Sequence, residues 1–159
     1  MDQPFEVRSG DKAVVLNQAA ALLGGQRDLV ANAANLSALL FHALDRVNWA
    51  GFYFLKHGEL VVGPFQGKPA CVTIPLGRGV CGTAAVTRQV QRVDDVHDFP
   101  GHIACDVESR SEIVVPLIAG DALLGVLDVD SPEPGRFDQR DEELLIEIAG
   151  LFVRSVDWP

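Results

Sequence analysis

The order of apolar and polar positions predicts helices near both ends of the chain and strands between them. Residues 12–23 are rich in Ala, Leu and Val, and residues 27–47 place apolar side chains at the spacing of an amphipathic helix. Gly24 and Gly25 separate these two predicted helices. Residues 138–156 predict a last helix, whose acidic first turn suits the positive end of the helix dipole.

Most of the predicted strands belong to two hairpins. Their ranges are 49–55 and 60–62 around His57-Gly58, and 113–118 and 122–129 around Gly120-Asp121. Short strands at 72–76 and 89–93 and a short helix at 80–88 complete the pattern. Because hairpins imply antiparallel pairing, we expect an α+β fold. Helices would pack on one face of a mostly antiparallel sheet, and the long loop of residues 94–111 would cover a binding pocket on the other.

Composition and charge narrow the class of protein. A chain of 159 residues is long enough to bury a core, and we expect residues 1–159 to form a single domain. The net charge of −9 disfavours nucleic acids and anionic membranes as partners. No stretch reaches the roughly 20 apolar residues of a membrane span, and Met1 to Gly10 lacks the pattern of a signal peptide. We therefore expect a cytoplasmic protein, in which a disulfide would be catalytic or sensory.

The three cysteines all lie in the middle third of the chain, beside Gly, Pro and charged residues. Cys105 lies in the polar loop, Cys71 begins a predicted strand, and Cys81 opens the predicted helix 80–88. A helix N-terminus would lower the pKa of the Cys81 thiol, although simple packing in the first turn explains this position equally well. Free cysteine is most often a buried apolar side chain, but the setting of Cys105 favours thiol chemistry.

Carboxylates and aromatic rings collect on the predicted sheet. Asp128 and Asp130 are two residues apart and share a face of one strand, and Glu112 begins the partner strand. They are either solvated at a strand end or line a pocket for a cationic group, where burial would raise one pKa and leave a proton donor. Trp49 and Tyr53 share a face of the first strand and fit either core packing or a pocket wall.

Two other site types have less support. His97, His102 and Cys105 are close in sequence, but zinc ligands usually come in tighter pairs, so no metal is predicted. The turn at residues 77–79 lacks the glycine spacing and the following Lys-Ser/Thr of a phosphate loop. The residues alone thus predict a thiol enzyme acting on a small zwitterion or, equally, a small-molecule sensor.

A run of longer motifs extends over residues 48–131, with fitting helices on both sides. The motifs are NWAGFY (48–53), GPFQGKPAC (63–71), GVCGTA (79–84), DVH (95–97), FPGHIACD (99–106), SRSEIVVP (109–116) and GVLDVDS (125–131). They resemble the free methionine-(R)-sulfoxide reductases, a family built on a GAF domain. The resemblance implies a GAF-like fold and an oxidoreductase that reduces free L-methionine (R)-S-oxide to L-methionine, in oxidative stress repair, without a cofactor.

The resemblance also implies roles for the thiols. Cys105 would be the nucleophile that is left as sulfenic acid, and Cys71 the thiol that converts it to a disulfide. Cys81 resembles the family's secondary or alternative resolving cysteine. A thioredoxin-like protein would then reduce the disulfide by exchange.

For the substrate, the resemblance implies that Glu112, Asp128 and Asp130 bind the free amino acid. Some would hold its ammonium group, and one, protonated, would bind the sulfoxide oxygen; the sequence does not divide these roles. Trp49 and Tyr53 would enclose the ε-methyl group. Such carboxylates are also expected to raise the pKa of the nearby nucleophile. A ligand-sensing GAF module is the main alternative, and the oligomeric state, a homodimer included, stays open.

Overall fold

Six strands form one antiparallel sheet in the computed structural model, which describes residues 5–159. The strands are β1 Trp49–Lys56, β2 Glu59–Gly67, β3 Thr73–Pro75, β4 Gln91–Val93, β5 Ser111–Ala119 and β6 Ala122–Ser131. The helices are α1 Lys12–Leu23, α2 Leu29–Ala43, α3 Gly79–Thr87 and α4 Gln139–Ser155. The strand order is β3-β2-β1-β6-β5-β4. We expect no signal peptide in residues 1–10, and residues 1–4 of that segment lie outside the described residues.

Helices α1, α2 and α4 pack on one face of the sheet and bury the main hydrophobic core with it. Ala50, Phe52 and Phe54 alternate along β1 and point to this face. Phe52 stacks on Phe152 of α4 with ring centroids 4.5 Å apart. An aspartate caps the first turn of each of these helices, which explains why they begin where they do.

The other face of the sheet carries α3 and the loop of residues 94–110. Trp49 and Tyr53 point here because they alternate with the core-facing residues of β1. The loop contains one short 3-10 turn, Val96–Asp98, and is otherwise irregular. Val96 is fully buried, and its N–H donates to the Arg110 carbonyl at 2.7 Å. The expected arrangement, with helices on one face and an anchored loop on the other, is confirmed.

Strand β2 is longer than the predicted strand at residues 60–62. Residues 63–67 have the composition of a turn, yet they belong to β2, and residues 65–67 pair with β1. A bulge lies between the pairs Gly51–Phe65 and Tyr53–Val62, and it accommodates Pro64. Since β3 pairs only with the first residues of β2, this half of the strand has no ladder on its outer side that proline would interrupt.

Helix α2 is shorter than the predicted helix at residues 27–47. Asp28 is its N-cap and accepts a hydrogen bond from the Ala31 N–H at 2.8 Å. The backbone leaves helical geometry at Leu44. The other elements agree with prediction to within two residues at each end, the usual uncertainty of element boundaries. Within residues 5–159, no helix combines the length and apolar character needed to cross a bilayer.

Candidate active site

A disulfide joins Cys71 to Cys105 across two connections of the sheet. Cys71 lies between β2 and β3, and Cys105 lies in the loop of residues 94–110. The two residues are 34 apart in sequence, and their Cα atoms are 5.4 Å apart. Both are partly exposed, so a second thiol can reach the bond and exchange with it.

Polar contacts hold the two cysteine-bearing connections in place. Lys68, three residues before Cys71, forms an ion pair with Glu108, three residues after Cys105, with Nζ and Oε2 2.5 Å apart. The indole Nε1–H of Trp49 donates to the Lys68 carbonyl at 3.2 Å. The Lys68–Glu108 ion pair is exposed, so it contributes only a modest free energy. It nevertheless links the same two connections that the disulfide joins.

The far end of the loop is fixed by a second ion pair. Arg110 Nη2 donates to Asp95 Oδ2 at 3.0 Å, and this contact lowers the pKa of Asp95 to about 2. Asn48 Nδ2 donates to Ser109 Oγ at 3.2 Å and so ties the loop to the start of β1. Loop residues 94–110 therefore have a defined path over the sheet.

The three predicted carboxylates meet on the sheet face below this loop. Asp130 of β6 pairs with Trp49 of β1 on one side and with Glu112 of β5 on the other. Asp128 lies two residues along β6 on the same face. Directly opposed residues have Cβ atoms only about 4.5–5.5 Å apart. The strand register therefore gathers three acids and one indole, of which the sequence predicted the shared face of Asp128 and Asp130.

Burial raises the pKa of all three carboxyl groups. The pKa values of Glu112 and Asp130 lie well above their usual range because of burial first and the charge of Asp128 second. Burial raises the pKa of Asp128 to about 6, while hydrogen bonds with Glu112 and Cys81 oppose the rise. At neutral pH Asp128 is therefore mostly ionised, whereas Glu112 and Asp130 hold their protons to a higher pH than such groups usually do. This reduces the expected suppression of a thiolate nearby.

Cys81 differs from its predicted electrostatic setting. It is the third residue of α3, where the helix dipole favours thiolate, but it is only 4% exposed. Burial and the charges of Asp128 and Glu112 raise the pKa of the thiol well above its usual range. Its Sγ donates to Glu112 Oε1 at 3.7 Å. Of the two interpretations left open for Cys81, packing in the first turn agrees with the structure and a lowered pKa does not, because desolvation outweighs the dipole.

A cleft of about 520 Å³, including its open mouth, lies between the sheet face, α3 and the loop. Every predicted site residue except Cys71 lines this cleft. The full lining is Trp49, Tyr53, Pro69, Ala70, Ile74, Arg78, Gly79, Val80, Cys81, His102, Ile103, Cys105, Asp106, Ser109, Glu112, Asp128 and Asp130. Trp49 and Tyr53 stack with centroids 5.8 Å apart and form one apolar wall. Ala70, which directly precedes Cys71 in the sequence, also lines the cleft.

The sequence reasoning missed Arg78 as a lining residue. The turn at residues 77–79 lacks the features of a phosphate loop, so its pattern alone does not mark Arg78. Gly77 and Gly79 both have positive φ, at 79° and 63°, and this turn places Arg78 at the cleft, just before α3. A charged residue between two glycines ahead of a helix was the available signal.

The zinc ligand set weighed for His97, His102 and Cys105 is not assembled. Cys105 is in the disulfide, and the His97 side chain is 60% exposed and bonded to Asp95. Within residues 5–159, the one group of three or more potential ligands close enough to share an ion is Cys81 with Glu112 and Asp128.

Comparison with known proteins identifies the family. Residues 31–157 match the GAF domain model. The free methionine-R-sulfoxide reductase of Escherichia coli is 56% identical over 128 residues, which are 80% of this chain and 78% of that protein. The chain belongs to the free methionine-R-sulfoxide reductase family.

Solved structures agree with this membership. The free methionine-R-sulfoxide reductase of Neisseria meningitidis, in complex with its substrate, is 40% identical and superposes with a TM-score of 0.91, covering 96% of this chain and 94% of that one. A candidate GAF sensor protein of Burkholderia vietnamiensis is 60% identical, with a TM-score of 0.89 and coverage of 91% and 92%. The GAF-like α+β fold expected from the motifs is confirmed.

Proposed function

We propose that this oxidoreductase reduces free methionine-(R)-sulfoxide to methionine through Cys105 and Cys71. The observation that carries the proposal is the Cys71–Cys105 disulfide at the rim of a cleft whose floor holds three carboxyl groups. A sulfoxide reductase needs a thiol pair that can be oxidised and a proton donor for the departing oxygen, and both kinds of group meet here. Membership of the reductase family supports the same assignment.

The cleft has groups that complement each part of a free amino acid. Asp128, ionised at neutral pH, is the counter-charge for the substrate ammonium, and its buried Oδ1 accepts no hydrogen bond from any residue of the described range. Arg78 offers a cation to the substrate carboxylate. The stacked rings of Trp49 and Tyr53 enclose the ε-methyl group. A methionine sulfoxide within a protein lacks the ammonium and carboxylate, so it is rejected.

The chemical step starts with the Cys105 thiolate, which attacks the sulfoxide sulfur. Glu112 or Asp130, whose raised pKa values keep them protonated, donates a hydrogen bond and then a proton to the oxygen. The bond between the methionine sulfur and the oxygen breaks, the protonated oxygen passes to Cys105 Sγ, and methionine leaves. Cys105 becomes a sulfenic acid, so the sulfoxide is reduced and the thiol is oxidised. The Cys71 thiol then attacks this sulfur, water leaves, and the disulfide forms.

Recycling requires two electrons from outside the chain. A thioredoxin-like dithiol attacks the exposed disulfide and returns both cysteines to thiols, which fits a cytoplasmic enzyme. For Cys81 we keep the role of alternative resolving thiol. Its raised pKa and burial make it slower than Cys71 in that role.

The proposal is tested by coupling the protein to NADPH, thioredoxin and thioredoxin reductase. Free methionine-(R)-sulfoxide should be consumed with an equal amount of NADPH, whereas the (S)-diastereomer and a sulfoxide inside a peptide should not. Cys105→Ser should abolish turnover, and Cys81→Ser should retain measurable turnover. Binding of the sulfoxide without consumption would favour the sensor function indicated by the Burkholderia relative.

A further inference from the structure

Three potential metal ligands converge at the floor of the cleft from three different elements. Cys81 of α3, Glu112 of β5 and Asp128 of β6 each offer one ligand atom, and these atoms all lie within 4.8 Å of one another. All three side chains are buried. A thiolate and two carboxylates form a donor set that suits Zn²⁺, which takes Cys sulfur and Asp or Glu oxygen in tetrahedral sites.

The distances are close to those that a tetrahedral ion requires. Metal–ligand bonds of about 2.0–2.3 Å place neighbouring ligand atoms roughly 3.3–3.8 Å apart. Cys81 Sγ and Glu112 Oε1 are 3.7 Å apart without an ion. The widest separation between two ligand atoms is at most 4.8 Å, so a movement of about 1 Å brings them to the distance that the ion requires.

An independent observation points to a cationic ligand at this place. Asp128 is 5% exposed, and its Oδ1 is buried and accepts no hydrogen bond from residues 5–159. A buried carboxylate oxygen without a donor is costly unless a cation meets it. The substrate ammonium is one such cation, but it has no use for the neighbouring sulfur of Cys81. A thiophilic metal ion uses both atoms.

We propose that Cys81, Glu112 and Asp128 form a site for one thiophilic divalent cation such as Zn²⁺. Three protein ligands leave the fourth position of the ion open to the cleft. Because Asp128 and Glu112 also serve the substrate, the ion and free methionine-(R)-sulfoxide exclude each other; this second statement rests on the proposed function. Binding displaces the Cys81 thiol proton and the Glu112 carboxyl proton to solvent and involves no change of oxidation state.

The site is independent of the redox state of the other two cysteines. Cys71 and Cys105 contribute no ligand, so the ion binds while they are joined in the disulfide. Metal bound by a reactive thiol such as Cys105 would instead be lost when that thiol is oxidised. The oxidised protein therefore separates this site from ordinary metal capture by a catalytic cysteine.

The test uses the full chain, oxidised and freed of metal, with Co²⁺ as a spectroscopic substitute and Zn²⁺ as competitor. One equivalent of Co²⁺ should produce a thiolate-to-cobalt absorption band in the near ultraviolet, which Zn²⁺ removes. Cys81→Ser should abolish the band, and Asp128→Asn should weaken Co²⁺ binding by more than about 100-fold, the upper range for loss of an outer-shell partner. His97→Gln is the matched control and should change neither, because His97 lies outside the cluster.

Circular dichroism of each variant checks that it is folded, and Cys81→Ala replaces Cys81→Ser if the latter is not. A missing band in the wild-type protein, or a band that survives loss of Cys81, would overturn the site. Free methionine-(R)-sulfoxide should remove the band, and its failure to do so while it binds the metal-free protein would overturn mutual exclusion. If the sulfoxide does not bind the metal-free protein at all, both the proposed substrate and its mutual exclusion with the ion are refuted. The metal site itself is judged separately, by the cobalt absorption band.

Discussion

The buried carboxylate of Asp128 makes the stability of this fold depend on pH. Burial raises its pKa from 3.8 to about 6, a shift of roughly two pKa units at about 1.4 kcal/mol each. An acid whose pKa is raised on folding contributes its full stability below the unfolded pKa, and that contribution is lost as pH rises through the folded pKa. Above a pH of about 7, the ionised Asp128 therefore costs the folded state roughly 3 kcal/mol.

Asp128→Asn removes the charge and keeps the shape of the side chain. We expect the variant to be more stable than the wild type by up to about 3 kcal/mol at pH about 8, with the difference shrinking to near zero at pH about 4. Coupling to Glu112 and Asp130 broadens this pH window but leaves its direction unchanged. Urea unfolding of the disulfide-bonded protein in a chelator, at several pH values, measures the difference.

The matched control is Asp121→Asn, in the exposed turn between β5 and β6. Because this side chain is exposed, the substitution removes no buried charge and should not reproduce the stabilisation expected for Asp128→Asn at pH about 8. A difference for Asp128→Asn that stays constant with pH, or that grows toward acid pH, would refute the account of a carboxyl group strained by burial.

Three further predictions concern the resolving thiol, the ion pair between the cysteine connections, and the packing of α3. Cys71→Ser should complete one turnover and then fail to recycle through thioredoxin; full steady-state activity would assign resolution to the third cysteine. Lys68→Glu and Glu108→Lys should each shift the thiol–disulfide equilibrium toward the dithiol by about two- to fivefold, since an exposed ion pair is worth up to about 1 kcal/mol. The double variant should restore the wild-type equilibrium. If it does not, the two side chains do not pair directly. Gly82→Ala should lower the free energy of unfolding in urea by about 1–3 kcal/mol, because the new Cβ would lie 2.5 Å from a backbone oxygen. In the control Gly150→Ala, in α4, the new Cβ meets only a flexible arginine side chain, so this variant should be neutral or stabilising. Equal effects of the two substitutions would contradict this reasoning.

Local patterns account for the parts of the fold that the sequence predicted well. Helix α1 begins at Lys12 and ends at Leu23 as predicted, because its cap at Asp11 and the glycines after it are local signals. The two hairpins are likewise set by their turns and by alternation. The second half of β2 was missed because residues 63–67 become a strand only by pairing with β1 across a bulge. Such pairing is a tertiary effect that composition does not show.

The sequence predicted part of the cleft lining but not its electrostatics. The period of two along β6 correctly places Asp128 and Asp130 on one face, and the register then adds Glu112. The protonation of these acids depends on burial and on their mutual distance, which only the folded structure provides. Cys81 shows the consequence, since its position in α3 predicts a low thiol pKa and its burial produces a high one. That residues 1–159 form a single domain stays a prediction.

The central claim is that free methionine-(R)-sulfoxide oxidises Cys105 and that Cys71 captures the product. The most direct test adds this sulfoxide to fully reduced protein without any reductant, blocks remaining thiols by alkylation, and maps the disulfides by mass spectrometry. We predict one methionine released for each Cys71–Cys105 disulfide formed, with Cys81 alkylated once the protein is unfolded. Methionine release without a disulfide at Cys105, or the same disulfide formed equally fast without the sulfoxide, would contradict the account.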